Sequence, residues 1–204
     1  MMPTENLIGR NMSTKRQDVV DTATRLFAQY GYQAVGIDRI IAESGVAKMT
    51  MYKYFPSKND LIIEVLRQRE ADVAEDLLAF VNSKEGTVER VRAVFEWHDR
   101  WIKGGAFSGC MFINAATEHA GLGERVLQTS SEQKHRFITF FEQLLIPIVG
   151  ARRAPGDARK LMILLDGAIV AAQVYGNTDA AVDAWEVAKQ VLQPSAPVSR
   201  AVTA

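Results

Sequence analysis

The chain has 204 residues, 48% of them hydrophobic, with 24 Lys+Arg balanced by 24 Asp+Glu and a single cysteine. That length and apolar content suffice for a small helical domain plus a larger one. The zero net charge disfavours indiscriminate coating of nucleic acid, and one cysteine excludes an intramolecular disulfide. No signal-peptide pattern or long uncharged apolar span is present, because Asp166 interrupts the stretch from Leu161 to Ala172, so a cytoplasmic location is expected.

Residues 1–12 read as a disordered tail. Lys15 to Tyr30 then forms an amphipathic helix with Val19, Ala23, Leu26, Phe27 and Tyr30 on one face, ended by Gly31. From Gly36 to Lys58 the sequence GIDRIIAESGVAKMTMYKYFPSK reads as two short helices hinged at Ser44-Gly45-Val46. Ile37, Ile40 and Ile41 give the first of these an apolar face, and Gly45 supplies a left-handed turn without a side-chain clash. In the second helix only Met51 and Phe55 suit a core, which leaves Lys48 to Tyr54 otherwise free for solvent or a ligand.

This pattern places a helix in the major groove of DNA. Lysines and tyrosine hydroxyls donate to phosphates, while Lys48, Met49, Thr50 and Lys53 sit where side chains reach base edges or a thymine methyl. The competing reading is an ordinary helical hairpin with a solvated basic face. Pro56 stops the short helix, and Ser57 with Asp60 forms a capping-box-like start for the next, with Lys58 in its first turn. Residues 1–60 carry 8 Lys+Arg against 6 Asp+Glu, a net of +2, and residues 61–204 a net of −2. So small an asymmetry favours specific dimeric binding over coating.

The order Leu26-Phe27, Tyr30-Gly31-Tyr32, Ile40, Gly45-Val46, Thr50-Met51-Tyr52-Lys53-Tyr54-Phe55 and Ser57-Lys58-Asn59-Asp60-Leu61 resembles the N-terminal DNA-binding domain of TetR/AcrR-type regulators. The resemblance covers about Thr14 to Val65. It implies an all-α homodimeric repressor, or sometimes an activator, whose C-terminal domain binds a small molecule and thereby changes DNA affinity. It also implies Lys48, Thr50, Tyr52, Tyr54 and Lys58 as DNA contacts, with Lys53 reading a base or a phosphate. Two positions depart from the family pattern: many members have threonine in place of Gly36 and a basic residue in place of Asp38. The missing hydroxyl removes a phosphate contact and a helix cap. An aspartate facing DNA is repelled unless it accepts from a cytosine amine or pairs with Arg39.

The remainder reads as helix throughout. Leu61 to about Val81 turns Leu61, Val65, Val73, Leu77 and Phe80 inward and joins the two domains. Thr87 to Lys103 ends at Gly104-Gly105, a short helix follows near Cys110 to Ala120, and Glu124 to Val149 is kinked or ended by Pro147. Two last helices span about 156–175 and 178–192. In them Leu161, Leu164, Leu165, Ala168, Ala171 and Ala172, and Ala181, Ala184, Trp185, Ala188 and Leu192, form stripes suited either to a dimer interface or to the core of one protomer. In the resembling family the corresponding helices usually form a four-helix bundle between subunits.

The expected fold is thus all-α. A three-helix helix-turn-helix DNA-binding domain occupies residues 13–60, a helical ligand-binding and dimerisation domain 61–193, and a disordered tail 194–204. A small-molecule inducer pocket, mostly apolar with a few placed polar groups, is expected from Trp97, Trp101, Phe107, Met111, Phe112, Asn114, Glu118, Phe137, Phe141 and Asp166. Asn114 and Glu118, four residues apart on one face of the short helix, either hold a polar ligand or cap neighbouring backbone. Ligand binding there is expected to shift the helix beginning at Ser57. Cys110 at the start of a short helix is a candidate electrophile- or oxidant-sensing thiol, and an inert buried cysteine is the other reading. An architectural DNA-binding protein that senses nothing is a further alternative, opposed by the long apolar C-terminal part. His98, His119 and His135 lack paired-ligand spacing, and no glycine-rich phosphate loop or nucleophile elbow occurs. No metal, cofactor or enzymatic activity is expected; the expected partners are a palindromic double-stranded DNA operator, an inducer and a second copy of the chain, with no membrane.

Overall fold

The computed structural model describes residues 5–119 and 124–193, with side chains from Thr14 onward; the expected C-terminal tail lies outside the described residues. Among these residues the chain forms nine helices and no strand: α1 Glu5–Tyr30, α2 Ile37–Ser44, α3 Lys48–Tyr54, α4 Lys58–Asn82, α5 Thr87–Ile102, α6 Met111–Glu118, α7 Glu124–Val149, α8 Ala154–Tyr175 and α9 Ala180–Val191. The all-α expectation is met. Helix α1 begins well before Lys15, so most of the segment expected as an N-terminal tail has helical backbone. Pro147 sits inside the last turn of α7, and the helix ends at Val149, before Gly150 with φ 79°.

The chain divides into two compact units. The first comprises residues 1–77 and 105–135, the second 78–104 and 136–204. The first half of α4, all of α6 and the start of α7 therefore belong with the helix-turn-helix. Hydrogen bonds and an ion pair make the links: Tyr32 donates to the Met111 carbonyl, Glu118 takes the Tyr32 and Gln33 amides, and Arg125 pairs with Asp60. Leu61, Ile62 and Ile63 are all buried, and a helix apolar on every side needs neighbours on every side.

In the first unit the core is built from Val19, Val20, Ala23, Leu26 and Phe27 of α1, Ile40 of α2, Met51 of α3, and Phe55 with Leu61, Val65 and Leu66. Tyr30, expected inside, is exposed; the Arg39 guanidinium lies over its ring at 4.1 Å. Tyr32 takes the core position instead, with its ring 4.9 Å from Phe27 and its hydroxyl donating to the Met111 carbonyl at 3.1 Å. The expected capping box forms. The Asp60 amide donates to Ser57 Oγ at 3.2 Å, and the Asp60 carboxylate takes the Ser57 hydroxyl at 2.7 Å and Arg125 at 2.8 Å.

The Ser57 hydroxyl and Arg125 together hold the Asp60 carboxyl below its ordinary value. Arg25 and Arg39 do the same for Glu43, at 2.6 and 2.9 Å. A carboxyl depressed by folding stabilises fully above its unfolded value and loses that contribution as pH falls through the folded one. The loss of these contributions should therefore lower the melting temperature only slightly below about pH 4, because both carboxyls are open to solvent. A Glu43→Gln variant should show a shallower drop over the same range in a pH series of thermal melts.

In the second unit α8 packs on α9, and α5 packs on both. Leu161, Leu165, Ala168, Ala171 and Ala172 of α8, with Ala181, Ala184, Ala188 and Leu192 at α9, are buried inside one protomer. These stripes thus fill the protomer core, the second of the two readings their sequence allows. Small residues permit the close approach of the two helices. Arg153 ties the end of α9 by donating to the Val191 and Gln193 carbonyls at 3.0 and 3.1 Å, and it also pairs with buried Asp157 at 3.1 Å. The opposite face of α8 is apolar and uncovered: Ile163 is 71% exposed, Val174 73%, Val170 and Tyr175 are exposed, and nothing lies within 4 Å of a Cβ built on Gly167. Ile163, Gly167, Val170 and Val174 recur at helical spacing, so they form one stripe. No helix among the described residues is long and apolar enough to cross a membrane.

Candidate nucleic-acid interface

Helix α2 ends at Gly45, whose φ of 67° puts it in the left-handed region and whose amide donates to the Ile41 carbonyl at 3.2 Å. The turn lets Val46 enter the core and restarts the chain as α3 from Ala47, whose carbonyl accepts from Met51 at 3.0 Å. Met51 is the one fully buried side chain of α3 and, with Phe55 just beyond it, pins the helix to the unit. A seven-residue helix held mainly by one buried side chain leaves the face of Lys48, Met49, Tyr52 and Lys53 uncovered.

That face carries residues expected to touch DNA. Lys48, Met49, Tyr52 and Lys53 are exposed, Met49 to 84%, and Thr50 and Tyr54 are half-buried. Met49, Thr50, Tyr52 and Lys53 line an open concavity of about 510 Å³. An exposed methionine at the centre of a polar, basic helix face has no packing role, whereas a polarisable apolar side chain suits a thymine methyl. Lys58 is set apart from the others: it is half-buried, burial pushes its ammonium below the ordinary lysine value, and the Glu118 carboxylate acts against that shift.

At the two positions that depart from the family pattern the geometry is definite. Gly36 caps α2 in extended backbone without any side-chain bond, offering only its carbonyl to Ile40 at 3.3 Å. Asp38 pairs with Lys48, Oδ1 to Nζ 3.0 Å, and the Lys48 ammonium is held above its ordinary value by that bond. The expected alternative partner, Arg39, is engaged by Glu43 and by the Tyr30 ring.

The residues expected to form an inducer pocket fall into two groups. Within the second unit Trp97 and Trp101 stack at 6.2 Å, His98 meets Trp101 and Phe137 edge-on at 5.9 Å each, and Phe137 meets fully buried Phe141 at 5.4 Å. Asp166 is half-buried on α8 of the same unit. Near this cluster lies a cleft of about 80 Å³, lined by Arg92, Phe95, Glu96, Asp99, Ala181, Val182 and Trp185, which no local sequence pattern marks and which is smaller than ligand pockets of a few hundred Å³.

Phe107, Met111, Phe112, Asn114 and Glu118 lie in the first unit. There Met111 and Phe112 are buried, and Phe107 and Asn114 half-buried. Glu118 bonds backbone, one of the two roles its sequence position allows. Its carboxylate accepts the Tyr32 and Gln33 amides at 3.1 and 2.7 Å, and its carbonyl accepts the Gln33 side chain at 3.1 Å. Gly31 adopts φ 80°, which favours glycine at the turn, and a Cβ there would press on Glu118 Oε1 at 3.0 Å. Helix α6 thereby fastens the loop that leads into α2. Glu118→Ala should cost about 1–3 kcal/mol, the penalty for leaving such donors unpaired, and Glu118→Gln less, as read by urea unfolding.

Cys110 caps α6, buried, with Lys134 Nζ 3.8 Å from its sulfur. His98, His119 and His135 each donate Nδ1–H to the carbonyl four residues earlier in their own helix, at 2.8–2.9 Å. Among the described residues no three His, Cys, Asp or Glu side chains are grouped to hold a metal ion.

Residues 19–65, the stretch that builds α1 to the start of α4, match the model of the bacterial regulatory proteins of the tetR family. Among curated proteins, the repressor AcnR of Corynebacterium glutamicum is 28% identical over 46% of this chain and 47% of its own length. RutR of Escherichia coli is 37% identical over 29% of this chain and 28% of its own. These matches span less than half the length of the curated relatives. Among solved structures, a TetR-family transcriptional regulator from Streptomyces coelicolor is 29% identical, with a TM-score of 0.81 over 88% of this chain and 95% of its own. A TetR regulator from Chloroflexus aurantiacus shares the fold at 20% identity, with a TM-score of 0.78 over 91% and 98%.

Proposed function

We propose that this chain, a member of the TetR/AcrR family of transcriptional regulators, acts as a homodimeric repressor that occupies a two-fold symmetric operator and leaves it when a small molecule binds. The observation that carries the reading is α3: a short helix pinned by Met51 and showing Lys48, Met49, Tyr52 and Lys53 to solvent. A helix-turn-helix of this form enters the major groove and reads base edges from its N-terminal residues, while lysine and tyrosine side chains take the phosphates. Two-fold pairing supplies a second recognition helix about 34 Å away, one helical turn along the duplex. The exposed α8 stripe of Ile163, Gly167, Val170 and Val174 is the surface through which two copies pair.

For the inducer, the aromatic cluster of Trp97, Trp101, Phe137 and Phe141 supports an apolar or aromatic small molecule. Such a ligand releases DNA only by binding the operator-incompetent arrangement more tightly than the competent one. The shift reaches DNA through the helix that starts at the Ser57 cap.

Selection of bound duplexes from random and genomic DNA by the purified chain tests the reading. Enrichment of one inverted repeat is the expected result. Sequence-indifferent recovery with a steep salt dependence would instead support an architectural protein.

A further inference from the structure

Asp38 lies in the first turn of α2, with its side chain 86% exposed and its Oδ1 3.0 Å from Lys48 Nζ, the first side chain of α3. Exposed ion pairs of this kind add little to folding. The helix terminus gains from any acid in its first turn, without requiring one aimed at α3. The pair therefore matters for what the two helices meet. A carboxylate beside the recognition helix cancels the charge of the lysine it holds, and it is itself repelled by phosphates. Among the groups that DNA offers, only a base-edge donor can replace Lys48 as its partner, and in the major groove the amine that pairs with aspartate is that of cytosine.

We propose that Asp38 is a specificity-determining residue, holding Lys48 back from phosphates on unrelated DNA and accepting a hydrogen bond from a cytosine N4 amine in each half of the operator. This rests on the reading of α3 as the DNA-facing helix. On random duplex each protomer then binds with one cation fewer. On the operator the carboxylate turns to cytosine and Lys48 is released to its own contact. The small positive balance of residues 1–60, 8 Lys+Arg against 6 Asp+Glu, makes one withheld cation a large share of the non-specific attraction.

The test is equilibrium binding of the full chain to the selected operator and to a random duplex of equal length, across a salt series. It uses Asp38→Asn, which removes charge and keeps an acceptor, and Asp38→Ala, each also combined with Lys48→Ala. Both single variants should bind random duplex about tenfold more tightly at low salt, with a log–log salt slope steeper by about 0.9 per protomer. The gain should vanish when Lys48 is also replaced. Exchange of the C·G pair in one half-site should cost the native chain about 5- to 150-fold, equivalent to about 1–3 kcal/mol, and cost Asp38→Ala little. Unchanged random-duplex affinity and slope in both single variants, or the same gain without Lys48, would overturn the proposal while leaving the regulator reading intact. A native chain that binds neither duplex would overturn both.

Discussion

Placing aspartate at both Ile163 and Val174 should convert a dimer into a monomer and abolish operator binding at concentrations where the native chain saturates. Both side chains are more than two-thirds exposed on one face of α8, so the substitutions cost the isolated protomer almost nothing. In a two-fold interface every substitution is met twice, and four unpaired carboxylates buried between two apolar helices cost several kcal/mol each. Loss of pairing removes the linkage between two half-site contacts, which is worth about 10²- to 10⁴-fold in affinity. Sedimentation and a binding titration on the same sample check both parts. Gly167 makes the argument sharper. Glycine inside a helix costs about 1 kcal/mol relative to alanine, and no intrachain neighbour requires it here. A Gly167→Leu variant should therefore fold at least as stably as the native chain yet dimerise poorly.

Charge reversal at Lys53 should lower operator affinity by about a thousandfold or more while leaving the melting temperature unchanged. Lys53 is exposed on the uncovered face of α3, one residue past Tyr52 and two past the buried Met51. Lys53→Ala withdraws one cation per protomer, so the log–log salt slope of the dimer should become shallower by about 1.8. Lys53→Glu adds repulsion against the phosphates to that loss. If Lys53 reads a base, Lys53→Ala will also relax preference at one position in each half-site. If it meets only phosphate, affinity falls alike for all sequences. Salt-series titrations on the operator and on its single-base variants separate the two.

Local signals made the helix-turn-helix legible. Gly45 needs a left-handed turn, Met51 and Phe55 are four residues apart, and the Ser57–Asp60 cap is written in adjacent residues; each acts over a few positions, and each is found as expected. Ambiguity arises where a residue has two ways to be satisfied. Tyr30 fits the α1 stripe by spacing, but Arg39 covers its ring at the surface, and Tyr32 beyond the turn takes the buried place. Glu118 shares a helix face with Asn114, which suits either a polar ligand or the capping of backbone; the donors it takes are the backbone amides of Tyr32 and Gln33, 86 and 85 residues away. No periodicity carries information about such a pair.

The two apolar faces of α8 show a further limit. Leu161, Leu165 and Ala168 on one side and Ile163, Val170 and Val174 on the other have similar chemistry. Only the position of α9 decides which set lies inside. Likewise the aliphatic run Leu61-Ile62-Ile63 announced burial on all sides but not by what, and the grouping of α6 with the helix-turn-helix rests on bonds between residues far apart in sequence.

Photo-crosslinking from a benzophenone side chain placed at position 49 tests most directly whether α3 faces DNA. Met49 is 84% exposed at the centre of the proposed reading face, and a substitution there disturbs no packing. Crosslinks to bases at two symmetric positions of the operator, about one helical turn apart, are the expected result. Absence of any crosslink from position 49 on bound operator, with efficient crosslinking from a probe at exposed Leu127 on α7, would contradict it.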